Sequence, residues 1–145
     1  MPRNPAFDNV VFAVAQLTRT TTVCIVLASA EAYQVRAMVG PADLSLRRAI
    51  PLIRHVLKTG EVVVIEDVLG DGRFHAGPEA GDPPYRFCVL TPLTGPGNEI
   101  AGCLCILDGS PRTLSERQLT NVRMLARQAS DLIRLYATDQ PFLLA

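Results

Sequence analysis

Residues 86 to 109 read RFCVLTPLTGPGNEIAGCLCILDG. Two apolar runs, Arg86 to Leu93 and Ile100 to Asp108, flank Gly95, Pro96, Gly97 and Asn98. Those four residues supply the backbone dihedrals a reversal needs, so the stretch predicts a β-hairpin with a loop longer than two residues. Side chains alternate along a strand. Cys103, Cys105 and Leu107 therefore share one face, and Gly102, Leu104 and Ile106 the other. Neither set is polar, which predicts a central strand pair covered on both sides.

Working outward toward the C-terminus, Ser115 followed by Gln118 forms a capping box, with Glu116 near the positive end of a helix. Leu119, Val122, Ala126, Ala129, Ile133 and Tyr136 make one apolar seam, widened by Leu125 and Leu132, so the helix is expected to run to about Ala137. Toward the N-terminus, Leu69 to Pro84 is a long loop rich in Gly, Pro and acidic residues, and Glu61 to Asp67 reads as a strand. Pro51 starts a helix ending at Thr59 with Gly60 as its cap, and Gly40 to Ala49 carries no decisive pattern. Thr22 to Ala28 is a continuous apolar strand. Tyr33, Val35 and Ala37 alternate with Gln34, Arg36 and Met38 in its partner, across a reversal near Glu31. Asn4-Pro5 opens a first helix reaching about Thr18. The order is helix, two strands, helix, strand, long loop, two strands, long helix. That predicts an α+β fold with an antiparallel sheet.

The length of 145 residues fits one domain spanning 1–145, with a core from about 5 to 137 and a short tail from 138 to 145. A formal net charge of zero gives no global field to recruit nucleic acid or an anionic membrane. Thirteen of the fourteen basic residues are Arg, and Lys58 is the one Lys. The apolar runs fall well short of the ~20 residues that span a bilayer, and no signal peptide is visible. A cytoplasmic protein is expected. Cys24, Cys88, Cys103 and Cys105 all lie in apolar strand-like runs, as buried thiols do, and not in a secreted disulfide pattern.

Three pieces, VVVIEDVLGDGRF (62–74), RFCVLTPLTGPGNEIAGCLCILDGSPRTLSERQ (86–118) and LARQASDLI (125–133), together with the element order, make the chain resemble a GAF domain. The resemblance runs from about Pro5 to Tyr136 and is closest to bacterial GAF domains that accompany sensor histidine kinases and diguanylate cyclases. It implies a six-stranded antiparallel sheet flanked by N-terminal, middle and C-terminal helices. It also implies a ligand cavity between the sheet and the 66–87 loop, and dimerisation through the terminal helices. Two departures stand out. Arg86-Phe87-Cys88-Val89 replaces the family's usual Phe-Tyr-Ala-Gly, and Arg47-Arg48-Ala49-Ile50 replaces a Ser-Phe-Cys stretch.

Phe74, His75, Tyr85, Arg86 and Phe87 offer aromatic walls and one cation beside the sheet, as a small, partly anionic ligand needs. On the other reading Phe74 and Phe87 fill the core and Arg86 faces solvent. With Cys88 and Cys105 these residues form the candidate ligand-binding set. Leu119, Val122, Leu125, Ala129, Leu132 and Ile133 form the candidate homodimer interface. No catalytic residue, metal ligand or cofactor is assigned. His55 and His75 stand far apart in sequence, and the thiols lack a C-x₂-C spacing for zinc. Haem through either His is chemically open, but a covalent bilin lacks its Cys beside Arg54-His55. GAF-type methionine sulfoxide reductases carry Gly-Val-Cys-Gly where this chain has Pro51-Leu52-Ile53-Arg54, which disfavours a thiol-dependent enzyme. The Arg47, Arg48, Arg54, Lys58 cluster has no interleaved aromatic and reads as a solvated face. The expected function is a non-enzymatic sensory module that binds a small molecule, dimerises and acts on a signalling output protein. The alternative is a GAF-fold scaffold without ligand.

Overall fold

The computed structural model describes residues 4–29, 32–41, 44–71 and 85–136. Helix α1 (Pro5–Thr18) begins where the Asn4 side chain accepts a hydrogen bond from the Ala6 N–H at 2.9 Å. It ends at Arg19, whose left-handed φ of 55° lets its N–H reach the Ala15 carbonyl. Strands β1 (Thr22–Ala28) and β2 (Tyr33–Val39) follow, then helix α2 (Leu44–Thr59), short strand β3 (Val63–Ile65) and one 3-10 turn at Val68–Gly70. The hairpin is β4 (Phe87–Thr94) and β5 (Ile100–Asp108), and α3 (Glu116–Tyr136) closes the fold. The described strands form a five-stranded antiparallel sheet in the order β2-β1-β5-β4-β3, one strand fewer than the six expected.

The hairpin pair is central, and each of its faces builds a separate core. Leu104 and Ile106 join Phe7, Val11, Val14, Ala126, Ala129 and Ile133 under α1 and α3. Cys103, Cys105 and Leu107 join Ile53, Val56, Ile65 and Leu90 under α2. The hairpin loop turns at Asn98, with φ 63°, and closes through the Gly95 N–H to the Glu99 carbonyl at 2.8 Å. The α3 capping box is reciprocal: the Ser115 N–H donates to Gln118 Oε1 at 2.8 Å, and the Gln118 N–H to Ser115 Oγ at 3.1 Å.

Three expectations need correction. Helix α2 starts at Leu44, so Pro51 is interior and not the first residue. Its missing N–H removes the bond to the Arg47 carbonyl, and the buried contacts of Ala49, Leu52, Ile53 and Val56 hold the helix through that gap. The even alternation of β2 is broken, because Ile25 pairs with Ala37 and Val26 with Val35, leaving Arg36 as an extra, bulged residue. Tyr33 and Ala37 consequently pack on opposite faces, and the Arg36 guanidinium lies 5.3 Å over the Phe7 ring. Strand β3 covers three residues and not the seven of Glu61–Asp67.

Candidate functional site

Val68 and Tyr85, near the two ends of the 66–87 segment, pack on the sheet face under α2. Its centre is filled by thiols. Cys24 of β1 pairs in register with Cys105 of β5, Cys103 lies two residues along the same face, and Cys88 sits on β4 next door. All four are free and have no exposed surface. Burial pushes the Cys88 thiol well up from its ordinary value, and neighbouring Cys103 and Cys24 add to it. Cys105 is pushed up by its thiol contacts with Cys103 and Cys24, and by burial. Cys88 and Cys105 are therefore held in the neutral form, and all four side chains close the middle of the face as small, buried hydrophobes.

At the β3–β4 edge the chain enters and leaves the 72–84 stretch beside two charged residues. Arg86 grips Asp67 with two hydrogen bonds, Nε to Oδ1 at 2.8 Å and Nη2 to Oδ2 at 2.7 Å. Asp67 also caps the 3-10 turn, accepting from the Leu69 N–H at 3.1 Å. The hydrogen bond from Arg86 holds the Asp67 carboxyl below the usual carboxylate range, and the Leu69 N–H helps against a smaller opposing cost of burial. The backbone is tied here too: the Val68 N–H donates to the Arg86 carbonyl at 2.6 Å, and the Arg86 N–H to the Asp108 carbonyl at 2.8 Å. Buried Asp108 accepts from the Thr21 and Ser110 N–H groups and lies 2.9 Å from Arg112 Nε.

The candidate residues therefore separate. Tyr85, Cys88 and Cys105 share the α2 face, where burial pushes the Tyr85 phenol well up. Phe87 is fully buried on the opposite face, under α1 and α3, so it walls no pocket beside Cys88. Strand alternation already carried that signal, since Phe87 and Cys88 are consecutive. Arg86 is not the unengaged cation expected for an anionic ligand, because Asp67 occupies its fork. Phe74 and His75 lie outside the described residues. Among the described residues no group of three or more His, Cys, Asp or Glu side chains is placed to hold a metal ion.

The proposed dimer seam separates as well. Val122, Ala129 and Ile133 are consumed by the chain's own core and cannot face a second copy in the folded state. Leu119, Leu125 and Leu132 are half-buried. Leu125 and Leu132 line a groove of about 540 Å³ between α3 and α1, with Ala6 and Ala13 opposite. Sequence reasoning missed the exposed apolar side chains on this helix, Met124 at 56% and Leu135 at 64% exposure. Arg134 links α3 to the hairpin loop, donating to the Gly95 carbonyl at 3.2 Å and to the Thr94 hydroxyl. Ser130 Oγ accepts from the Thr94 N–H at 3.0 Å.

With this geometry in place, comparison with known proteins is informative. The family model for the GAF domain matches residues 2–133. The fold is similar to the GAF domain of an Acinetobacter phosphoenolpyruvate-protein phosphotransferase, with a TM-score of 0.72 and 21% identity over 92% of this chain and 82% of that one. It is similar to the blue-light-absorbing form of the Thermosynechococcus elongatus PixJ GAF domain, with a TM-score of 0.71 and 15% identity over 96% and 89% of the two chains. It is also similar to a type II free methionine-R-sulfoxide reductase from Thermoplasma acidophilum, with a TM-score of 0.68 and 13% identity over 89% of each chain. At these identities the likeness concerns the fold alone. Comparison with curated proteins finds no significant match. Among the described residues no helix is long and apolar enough to cross a membrane.

Proposed function

The chain belongs to the GAF domain family, and on that premise we propose that it is a cytoplasmic sensory module that binds a small molecule between the sheet and the 66–87 segment. Signalling then passes through a helix-mediated homodimer to an output protein. The observation that carries this reading is the Asp67–Arg86 clip. It brings the two flanks of the 66–87 segment together at the edge of an apolar sheet face, where loops positioned by a rigid scaffold carry binding residues. Beside it, α3 is tied to the hairpin by Arg134 and Ser130, so a displacement of β4 is transmitted to the helix that carries Leu125, Leu132, Met124 and Leu135.

A thiol-dependent reductase is disfavoured by the burial of all four cysteines and by the raised pKa of Cys88 and Cys105. The test is a thermal-shift screen of small metabolites followed by hydrogen exchange. A ligand present at a hundred times its Kd stabilises the fold by about 2.7 kcal/mol, which is several degrees in Tm. The expected hit also slows exchange at Val68 and Arg86. A hit that leaves these amides unchanged argues against this site, and turnover of methionine sulfoxide would argue against a non-enzymatic module.

A further inference from the structure

Helix α2 turns a row of one charge to solvent. Ala49, Leu52, Ile53 and Val56 form its buried side, with Leu46 and Leu57 packed beside them. Arg47, Pro51, Arg54 and Lys58 are exposed. The three cations follow i, i+7, i+11 spacing, which sets them in one line along the helix, and Pro51 adds a short uncharged ring within it. The helix carries no Asp or Glu, in a chain whose formal net charge is zero. Arg48 stays out of the row: it is half-buried, and its charge acts on the Tyr85 phenol. Sequence alone reads the basic cluster as a solvated face. The fold sorts three of its four cations into a line.

One member of the row is already positioned. Arg54 donates from Nε to the Tyr33 hydroxyl at 3.3 Å, which leaves its two terminal nitrogens as donors on a side chain that has less freedom to lose on binding. The spacing then selects the backbone of a partner. At 1.5 Å per residue, Arg47 and Arg54 lie about 10.5 Å apart along the axis, and Arg54 and Lys58 about 6 Å. An extended strand, at about 3.3 Å per residue, covers the longer step in about three residues, which turns the side chain to its opposite face. A helix matches both steps on one face. Among the described side chains of α2 no large apolar one is exposed to enter a bilayer, and the helix has no aromatic on which a base could stack.

We propose that this row docks an acidic helix of a partner protein, with carboxylates at matching spacing opposite Arg47, Arg54 and Lys58. Guanidinium–carboxylate pairs are charge-assisted, and a row of one sign steers an oppositely charged helix and sets its register. Docking here depends neither on the small-molecule site nor on the α3 dimer, so each can fail without the other.

Two fluorescein-labelled, alanine-based helical peptides are the probes. One carries glutamates in a single row at i, i+7 and i+11, and the other has the same residues scattered around the helix. Anisotropy titrations of the whole chain are read at about 20 and about 150 mM salt. The row peptide should bind at least threefold tighter than the scattered one and weaken about tenfold at the higher salt. Arg54→Gln and Lys58→Gln should each weaken it about threefold, while Arg123→Gln, at an exposed position of α3, leaves it unchanged. ¹H–¹⁵N NMR shifts should map to Arg47, Arg54, Lys58 and Thr59. Equal binding of the two peptides overturns the helical partner. An equal loss in Arg123→Gln overturns the row as the site. No saturable binding at low salt overturns the proposal, as does tighter binding to polyuridylate or to phosphatidylserine vesicles than to the row peptide.

Discussion

Arg86 and Asp67 stand nineteen residues apart and meet through two parallel hydrogen bonds of 2.8 and 2.7 Å, tying residues 67 and 86 together at the sheet edge. About a third of each side chain is exposed, so solvent screening keeps the pair's contribution to global stability small. Its role is local. The Asp67 carboxyl is held below its ordinary value by the Arg86 hydrogen bond. A depressed folded pKa contributes stability above the unfolded value of about 4, and loses it as pH falls through the folded one. Asp67→Asn should therefore speed amide exchange at Val68 and Arg86 at neutral pH. Its Tm should fall less than that of wild type between about pH 5 and 2. Parallel acid profiles for the two proteins would refute the clip.

The thiols give the opposite sign. Cys88 and Cys105 are pushed up in the folded state. Stability tied to their neutral form is complete below the unfolded thiol value of about 8.5 and is lost as pH rises beyond it. Wild-type Tm should fall in alkali, and Cys88→Ala, though less stable overall, should show a shallower alkaline slope. At neutral pH none of the four thiols should react with a disulfide reagent faster than the chain unfolds. A thiol that reacts within seconds in native protein would revive the reductase reading.

Gly102 is required by the close approach of β1 and β5. A Cβ at this position would sit 2.3 Å from the Val26 carbonyl oxygen and 3.2 Å from the Leu27 Cα, both backbone atoms. Gly102→Ala has to push two central strands apart and should cost roughly 1–3 kcal/mol in urea denaturation. An unchanged midpoint would mean the strands are not held at this spacing.

The proposed dimerisation through α3 has to use the side chains that the chain's own core leaves over. Leu135→Glu and Met124→Glu should yield folded monomers in sedimentation experiments. Ile133→Glu, fully buried, should unfold the chain instead, since an unpaired charge in a core is not tolerated. Folded dimers from both exposed-site variants would remove α3 from the interface.

What the sequence made legible was local. The hairpin, the Asn4 and Ser115 caps and the Gly60 helix end each depend on a few adjacent residues. The central strands were readable because both their faces are apolar. What escaped reading was set across strands and between helices. The bulge at Arg36 exists only relative to β1, and Pro51 looks like a helix start unless the packing of Ala49 onto the sheet is known. In α3, an apolar seam does not reveal which residues α1 will claim, so Val122, Ala129 and Ile133 were grouped with Leu125 and Leu132. Arg86 read as a cation for a ligand because its partner is nineteen residues upstream.

The central claim is that the chain carries a small molecule between its sheet and the 66–87 segment and presents it as a dimer. Native mass spectrometry of protein purified from its own host tests this most directly. The account predicts a dimer mass with an added small molecule that is lost on denaturation, and lost from Asp67→Asn more readily than from wild type. A bare chain under conditions that preserve a known ligand in a control protein, in either monomer or dimer, would contradict it.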